Sequence, residues 1–280
     1  MNEIKKLCHN LEIMPTKSKG QNFLLNDKIL DKIVKAADLK PSDIILEIGP
    51  GLGILTEVLA KKVKKVIAVE LDKKLASFLS KKFAQEKNIE IIQGDILSPE
   101  VSLCLRKKLV IRGGYKLVAN IPYNITGAVL RKFLSQKPKP KTMVLMLQKE
   151  VGERIVEKNK KKSIISLITS FYGQSEIFGF VSKNNFWPRP KVDSVILKIN
   201  LFSKNRLDIN IKKEQNLIRV IKAGFSSPRK QIVNNLIKNW PKEKVLNSLL
   251  LAKINFKSRP EEINLEKWAT IYRYLDDDQN

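Results

Sequence analysis

The 280-residue chain has a single histidine, His9, and two cysteines, Cys8 and Cys104. One histidine excludes Ser-His-Asp chemistry anywhere except around that residue. Two cysteines imply no disulfide framework. The Cys8-His9 pair lacks further ligands at zinc spacing, so no metal site is expected. No apolar stretch reaches the roughly 18 residues of a membrane span. The N-terminus has lysines but no sustained apolar segment before a small-residue cleavage site. A reduced, cytoplasmic protein without a membrane partner is the expectation. Acid is also scarce: 28 acidic residues stand against 53 basic ones, a net charge of +25. Such an excess points to an acidic polymer as partner, nucleic acid first, although lysine-rich codon usage accounts for part of it. The apolar fraction of 43% is ordinary and allows a sizeable core.

The length accommodates one large domain and a small one. Residues 1–20 are polar, basic and poorly periodic, and are expected to be a flexible arm. Asp27–Ala37 has helical spacing, with Ile29, Leu30, Ile33 and Val34 on one face and Asn26 or Asp27 as cap. Apolar runs at Ile44–Ile48, Lys65–Glu70, Ile89–Ile92, Lys116–Ala119 and Thr142–Gln148 read as buried strands. Helical stretches near 54–62, 73–82, 128–134 and 150–157 alternate with them. The alternation implies an α/β fold with a mostly parallel sheet covered on both faces. Later strands at Ile177–Val181 and Ser194–Leu201 suggest an antiparallel edge, after an ambiguous, helix-leaning stretch from Ile164 to Tyr172. Past residue 203 only helical spacing remains. Residues 21–203 therefore read as one α/β domain and 204–280 as a small helical domain.

Chemistry-bearing residues gather at strand ends. The first strand runs into Glu47-Ile48-Gly49-Pro50-Gly51-Leu52-Gly53, a turn that lets a ligand approach backbone N–H groups. The dinucleotide fingerprint needs a third glycine three residues after the second, and Ile54 or Thr56 stands there instead. No Gly-Lys-Ser/Thr follows, which excludes a Walker loop. Glu70 ends the second strand, placed to accept ribose hydroxyl protons. Asp95 follows the third strand, placed to accept a proton from an adenine amine. Taken singly, each acid reads as an ordinary loop residue. Their succession is what points to a nucleoside site.

Asn120-Ile121-Pro122-Tyr123 leaves the fourth strand. Asn offers a carbonyl acceptor, Pro a carbonyl without an N–H, and Tyr a flat ring for stacking on a base. The set suits holding a nitrogen-bearing ring while its exocyclic amine reacts. A plain strand-end proline turn is the competing reading. The stiff Phe186-Trp187-Pro188-Arg189-Pro190 loop likewise reads either as packing or as a grip on an unstacked base.

These segments resemble the ribosomal RNA adenine N6-dimethyltransferases, nearest to the branch acting on two adjacent adenosines near the 3′ end of small-subunit rRNA. The matching stretches are Gly20–Leu24, Glu47–Gly53 with Leu55-Thr56, Val69–Asp72, Gly94-Asp95, Asn120–Thr126, Leu147–Val151 and Phe186–Ser194, in family order. The resemblance implies a Rossmann-like methyltransferase sheet, with S-adenosylmethionine as cofactor. It places Asn22, Leu24, Gly49, Gly51, Glu70, Asp95 and Asn120 around that donor. Asn120 and Pro122 would receive the target amine, and Tyr123 and Phe186 would sandwich or brace the adenine. Ser226–Leu236 resembles the family's C-terminal signature, although Pro228 replaces an arginine there. It implies RNA contacts by Arg229 and Lys230, with Lys191 on the catalytic domain. The implied partner is small-subunit rRNA within a pre-30S particle, and a monomer is the default state. Two alternatives stay open: a large-subunit rRNA adenine methyltransferase of the macrolide-resistance type, and a non-catalytic RNA-binding assembly factor.

Overall fold

The computed structural model describes residues 2–10, 21–109, 114–156 and 161–276. Gly20 and the Asp277-Asp278 part of the acidic tail lie outside them. The chain begins with α1 (Asn2–Asn10), β1 (Phe23–Leu24), α2 (Asp27–Ala37), β2 (Ile44–Ile48), α3 (Ile54–Ala60), β3 (Lys65–Glu70) and α4 (Lys73–Lys82). Then come β4 (Ile89–Gln93), α5 (Pro99–Leu109), β5 (Lys116–Asn120), α6 (Thr126–Ser135), β6 (Thr142–Gln148) and α7 (Lys149–Ile155). Next are α8 (Ile164–Tyr172), β7 (Gly173–Val181), β8 (Phe186–Trp187) and β9 (Ser194–Leu201). The last elements are α9 (Ile211–Gly224), α10 (Ile232–Leu236), α11 (Lys242–Leu251) and α12 (Leu265–Asp276).

Seven strands form one sheet in the order β4-β3-β2-β5-β6-β9-β7. β2 pairs in parallel with both β3 and β5, so the strand order reverses between β2 and β5. Ligands of open α/β sheets bind outside the strand C-termini at such a switch point. β9 pairs antiparallel with β6, with Ser194 opposite Gln148. The central strands are Ile, Leu and Val runs because both faces are covered. α2 packs on one face: Ile29, Leu30 and Ile33 join Ile45, Val118, Val144 and Met146 in one buried cluster. Asn26 caps this helix by accepting the Lys28 N–H at 3.0 Å.

The structure departs from the sequence expectation in several elements. Residues 2–10 are helix α1, not a flexible arm. Ile4, Leu7 and Cys8 recur at helical spacing and meet Phe23, Leu52 and Leu75. Helix α5 follows β4 where the sequence suggested no element. Its apolar positions Val101, Leu105 and Leu109 are buried, but exposed Leu103 and five polar neighbours dilute the pattern. The compact units are residues 1–152 with 175–201, and residues 153–174 with 202–280. The segment containing α8 thus groups with the helical unit, although it precedes β7 in the chain.

In that second unit Leu217, Val220 and Ile221 of α9, Leu249 of α11, and Trp268 and Ile271 of α12 are buried. Tyr172 donates to Glu214 Oε2 at 3.1 Å, and Asn205 Nδ2 donates to its Oε1 at 2.7 Å. Asn235, fully buried, donates to the carbonyls of Gly224 at 2.6 Å and Ser227 at 3.0 Å. These bonds pin the loop that exposes Arg229 and Lys230. Gly224 closes α9 against Trp268. A Cβ there would stand 2.1 Å from Trp268 Cη2. Gly224→Ala is therefore expected to destabilise this unit by about 1–3 kcal/mol, through overpacking. A thermal melt of the variant checks this, and an unchanged midpoint would show that the indole has room to move.

Candidate active site

A cleft opens at the C-terminal ends of β2, β3, β4 and β5. Its walls include Asn22, Leu24, Gly49, Gly51, Glu70, Asp95, Asn120, Pro122 and Tyr123. The structure thus brings together every donor-side residue expected from the sequence, along with three of the four expected around the target base.

The glycine turn forms the floor. Gly49, Gly51 and Gly53 have φ of 66°, 60° and 77°, the left-handed region that other residues enter at a cost. A Cβ on Gly51 would come within 3.1 Å of the Phe23 ring. The backbone here is held as close to its neighbours as glycine permits. Glu70 is 6% exposed. Its Oε2 accepts the Gly51 N–H at 3.1 Å and its Oε1 accepts the Asp72 N–H at 2.9 Å. Burial raises its pKa, and these backbone donors oppose the rise. The Leu71 N–H also faces this carboxylate, which still keeps a lone pair for a ligand hydroxyl. Asp95 Oδ1 accepts the Leu97 N–H at 2.8 Å, which fixes the carboxylate at the turn after β4.

Asn120 ends β5. Its Nδ2 donates to the Asn22 carbonyl at 3.1 Å, an assignment set by that network. Oδ1 is therefore the atom left to accept. Ile121 donates its N–H to the Met146 carbonyl at 3.1 Å, tying the segment to β6. The Pro122 carbonyl accepts the Ile125 N–H at 3.1 Å, so one of its two lone pairs already closes a turn. The Tyr123 hydroxyl lies 2.7 Å from Ser194 Oγ. Burial raises the Tyr123 pKa; the Ser194 bond opposes this and Asp193 adds to it. The ring is anchored at its hydroxyl end and stays a neutral phenol at physiological pH.

Phe186 corrects the sequence expectation. It does not line the cleft. Its side chain is 3% exposed and packs in the cluster with Leu24, Ile33 and Ile196. The cause is β8, which pairs with β1 and sets Phe186 opposite Leu24. In this arrangement Phe186 braces the strand carrying Leu24 and has no open face for a base. Lys191 is exposed on the loop before β9.

Glu47 is the residue that sequence reasoning missed. It lines the cleft and is 1% exposed. Glu47 Oε2 and the neighbouring Thr56 Oγ1 have no hydrogen-bond partner among the described residues. Burial pushes the Glu47 carboxyl up to about 8; the nearby Thr56 hydroxyl, although not in hydrogen-bond geometry with it, opposes that, and Glu70 adds to it. The signal was an acid inside the apolar run Ile44-Ile45-Leu46-Glu47-Ile48. An orphaned buried acceptor beside a nucleoside-shaped set of acids fits a ligand that brings positive charge with its nucleoside.

No cluster of His, Cys, Asp or Glu suited to a metal ion occurs among the described residues. No helix among them is long and apolar enough to cross a membrane.

Comparison with known proteins agrees with this geometry. Residues 15–277 match the model of the ribosomal RNA adenine dimethylase family. A ribosomal RNA small subunit methyltransferase A of Dehalococcoides mccartyi is 38% identical over 97% of this chain and 92% of its own length. One from Fusobacterium nucleatum is 38% identical over 95% of this chain and 99% of its own. Among solved structures, a dimethyladenosine transferase from Plasmodium falciparum superposes with a TM-score of 0.71 at 28% identity, covering 89% of this chain and 95% of that one. The 23S rRNA methyltransferase ErmE superposes with a TM-score of 0.68 at 25% identity, covering 91% of this chain and 99% of that one. On its sheet order, its cleft and these matches, the chain belongs to the ribosomal RNA adenine dimethylase family.

Proposed function

We propose that the protein transfers methyl groups from S-adenosylmethionine to N6 of two adjacent adenosines near the 3′ end of small-subunit rRNA. The observation that carries this reading is the Asn120 side chain, held by the Asn22 carbonyl so that its oxygen is left to accept.

The residues fit the donor. Glu70 suits the ribose hydroxyls, Asp95 the adenine amine, and Gly49 and Gly51 a close backbone approach. Asn22, Leu24 and Asn120 line the methionine side, and Glu47 supplies an acceptor for its charged end. When bound, S-adenosylmethionine supplies an already activated methyl group, so positioning matters more than a strong base. That accounts for chemistry without a histidine in the cleft.

The target N6 lone pair is delocalised into the adenine ring. Asn120 Oδ1 and the remaining lone pair of the Pro122 carbonyl accept the two amine protons, favouring a pyramidal nitrogen. Tyr123 offers its ring face to the base, with Ser194 limiting rotation. Lys191, Arg229 and Lys230 suit phosphate oxygens.

The small-subunit reading is favoured over the large-subunit one. The relatives named for the small subunit match at 38% identity, and ErmE at 25%. Incubation with labelled donor and separate undermethylated small and large subunits, followed by mapping, tests it. Dimethylated adjacent adenosines in the small subunit are expected. Label confined to the large subunit would overturn the substrate assignment, and no label in either would overturn the enzyme reading. RNA affinity should also fall steeply with salt, because phosphate neutralisation releases counterions. Flat affinity across low to moderate salt would contradict a phosphate-dominated interface.

A further inference from the structure

Strand β7 lies at the edge of the seven-stranded sheet. Phe178 and Phe180 are two residues apart on it and so point to the same face. They are 41% and 51% exposed. Exposed phenylalanines paired on an edge strand are costly to leave in water, and neither lines the cleft.

A chain of contacts joins them to the base site. The Tyr123 hydroxyl meets Ser194 Oγ at 2.7 Å. The neighbouring Asp193 carbonyl accepts the Lys149 N–H at 3.0 Å. Lys149 Nζ sits 5.6 Å from the centre of the Phe180 ring. Ser194 pairs with Gln148, at the end of the sheet where β5 presents Asn120. From β5 to β7 is three strand spacings, about 14 Å at roughly 4.8 Å each, within reach of a few nucleotides of single strand.

The charge around the pair favours RNA. Lys149 covers one ring, and Lys183, Arg189 and Lys191 lie on the loop leading to Ser194. The acids here are Glu176, Glu150 and Asp193. Asp193 is partly engaged, since its Oδ1 accepts the Lys183 N–H at 2.9 Å. Aromatic faces beside cations are how proteins grip single strands with little sequence preference.

We infer that Phe178 and Phe180, with Lys149, form a stacking platform for the single-stranded nucleotides that flank the target adenosine. An adenosine offered to a closed cleft must leave its stack, and its neighbours lose a partner when it does. The platform supplies a replacement face and Lys149 a phosphate contact. This inference rests on the reading of the cleft as an RNA adenine site.

The test compares wild type with a Phe178→Ser/Phe180→Ser variant and a Phe178→Leu/Phe180→Leu variant. All of these side chains are exposed, so folding is checked by melting and by donor binding, both expected to be unchanged. One readout is steady-state methylation of undermethylated small subunits. The Ser variant is expected to raise KM for the particle roughly tenfold with kcat near wild type, from loss of base stacking. A second readout needs no turnover: fluorescence of a short oligoribonucleotide carrying 2-aminopurine beside the adenosine. Wild type is expected to quench it by stacking; both variants are not, because leucine keeps apolar bulk without a ring. Unchanged quenching and KM in the Ser variant would overturn the platform. So would full retention of both by the Leu variant. Sedimentation showing a wild-type dimer that the Ser variant dissolves would assign the face to a second copy and likewise overturn it. If wild type methylates no RNA yet quenches, and the variants do not quench, the platform stands while the activity assignment falls.

Discussion

Asn120→Ala is expected to lower methyl transfer on the order of 10²–10³-fold, the usual cost of removing one preorganised polar contact from a transition state. RNA affinity should stay near wild type, because the side chain lies within the cleft. The loss has two parts in this geometry. Alanine removes the oxygen that accepts an amine proton. It also leaves the Asn22 carbonyl without its 3.1 Å donor, loosening the segment that carries Leu24. Asn120→Asp separates them: it keeps an acceptor but sets a carboxylate against that carbonyl. It should transfer poorly as well, with weakened donor binding as the added signature. Single-turnover methylation with saturating donor, beside a filter-binding titration of RNA, reads both effects. Normal transfer by the alanine variant would remove Asn120 from the chemistry.

The parallel sheet and its ligand end were legible because buried strands in this architecture are continuous apolar runs, each followed by a polar break. Glu70, Asp95 and Asn120 stand at those breaks, so strand positions alone placed them at one edge. What escaped reading depends on partners distant in sequence. Phe186 looks available in a proline-stiffened loop, and only its pairing with Leu24 across β1 and β8 turns it inward. The Pro122 carbonyl looks free until the Ile125 N–H closes on it. Helix α8 only leans towards helical spacing in the sequence, and nothing local says that it groups with the later helices. Glu47 passed as part of a strand because one acid in five residues does not disturb an apolar run. Whether such an acid is paired is a three-dimensional fact.

Glu47→Gln is expected to stabilise the free protein at high pH and to leave it unchanged at low pH. The wild-type carboxyl is pushed up to about 8 from 4.5. Below about 4.5 both folded and unfolded chains hold the proton, and Glu47 adds no pH dependence. Above that the unfolded chain ionises while the folded one keeps its proton. The group then destabilises by about 1.36 kcal/mol per pH unit until the folded carboxyl titrates. The deficit by pH 8 is on the order of 4 kcal/mol. Glutamine mimics the protonated acid and does not titrate, so urea unfolding of the two proteins should coincide near pH 4.5 and diverge towards pH 8. An equal gap at both ends would mean that the carboxyl is ionised in the free cleft. Donor binding should act in the opposite sense. A cationic ligand beside Glu47 favours the carboxylate, so binding near neutral pH expels a proton. Calorimetric titrations in phosphate and in imidazole should give different apparent enthalpies for wild type and the same enthalpy for Glu47→Gln. Coincident wild-type enthalpies would show that the donor's charge is met elsewhere than at Glu47.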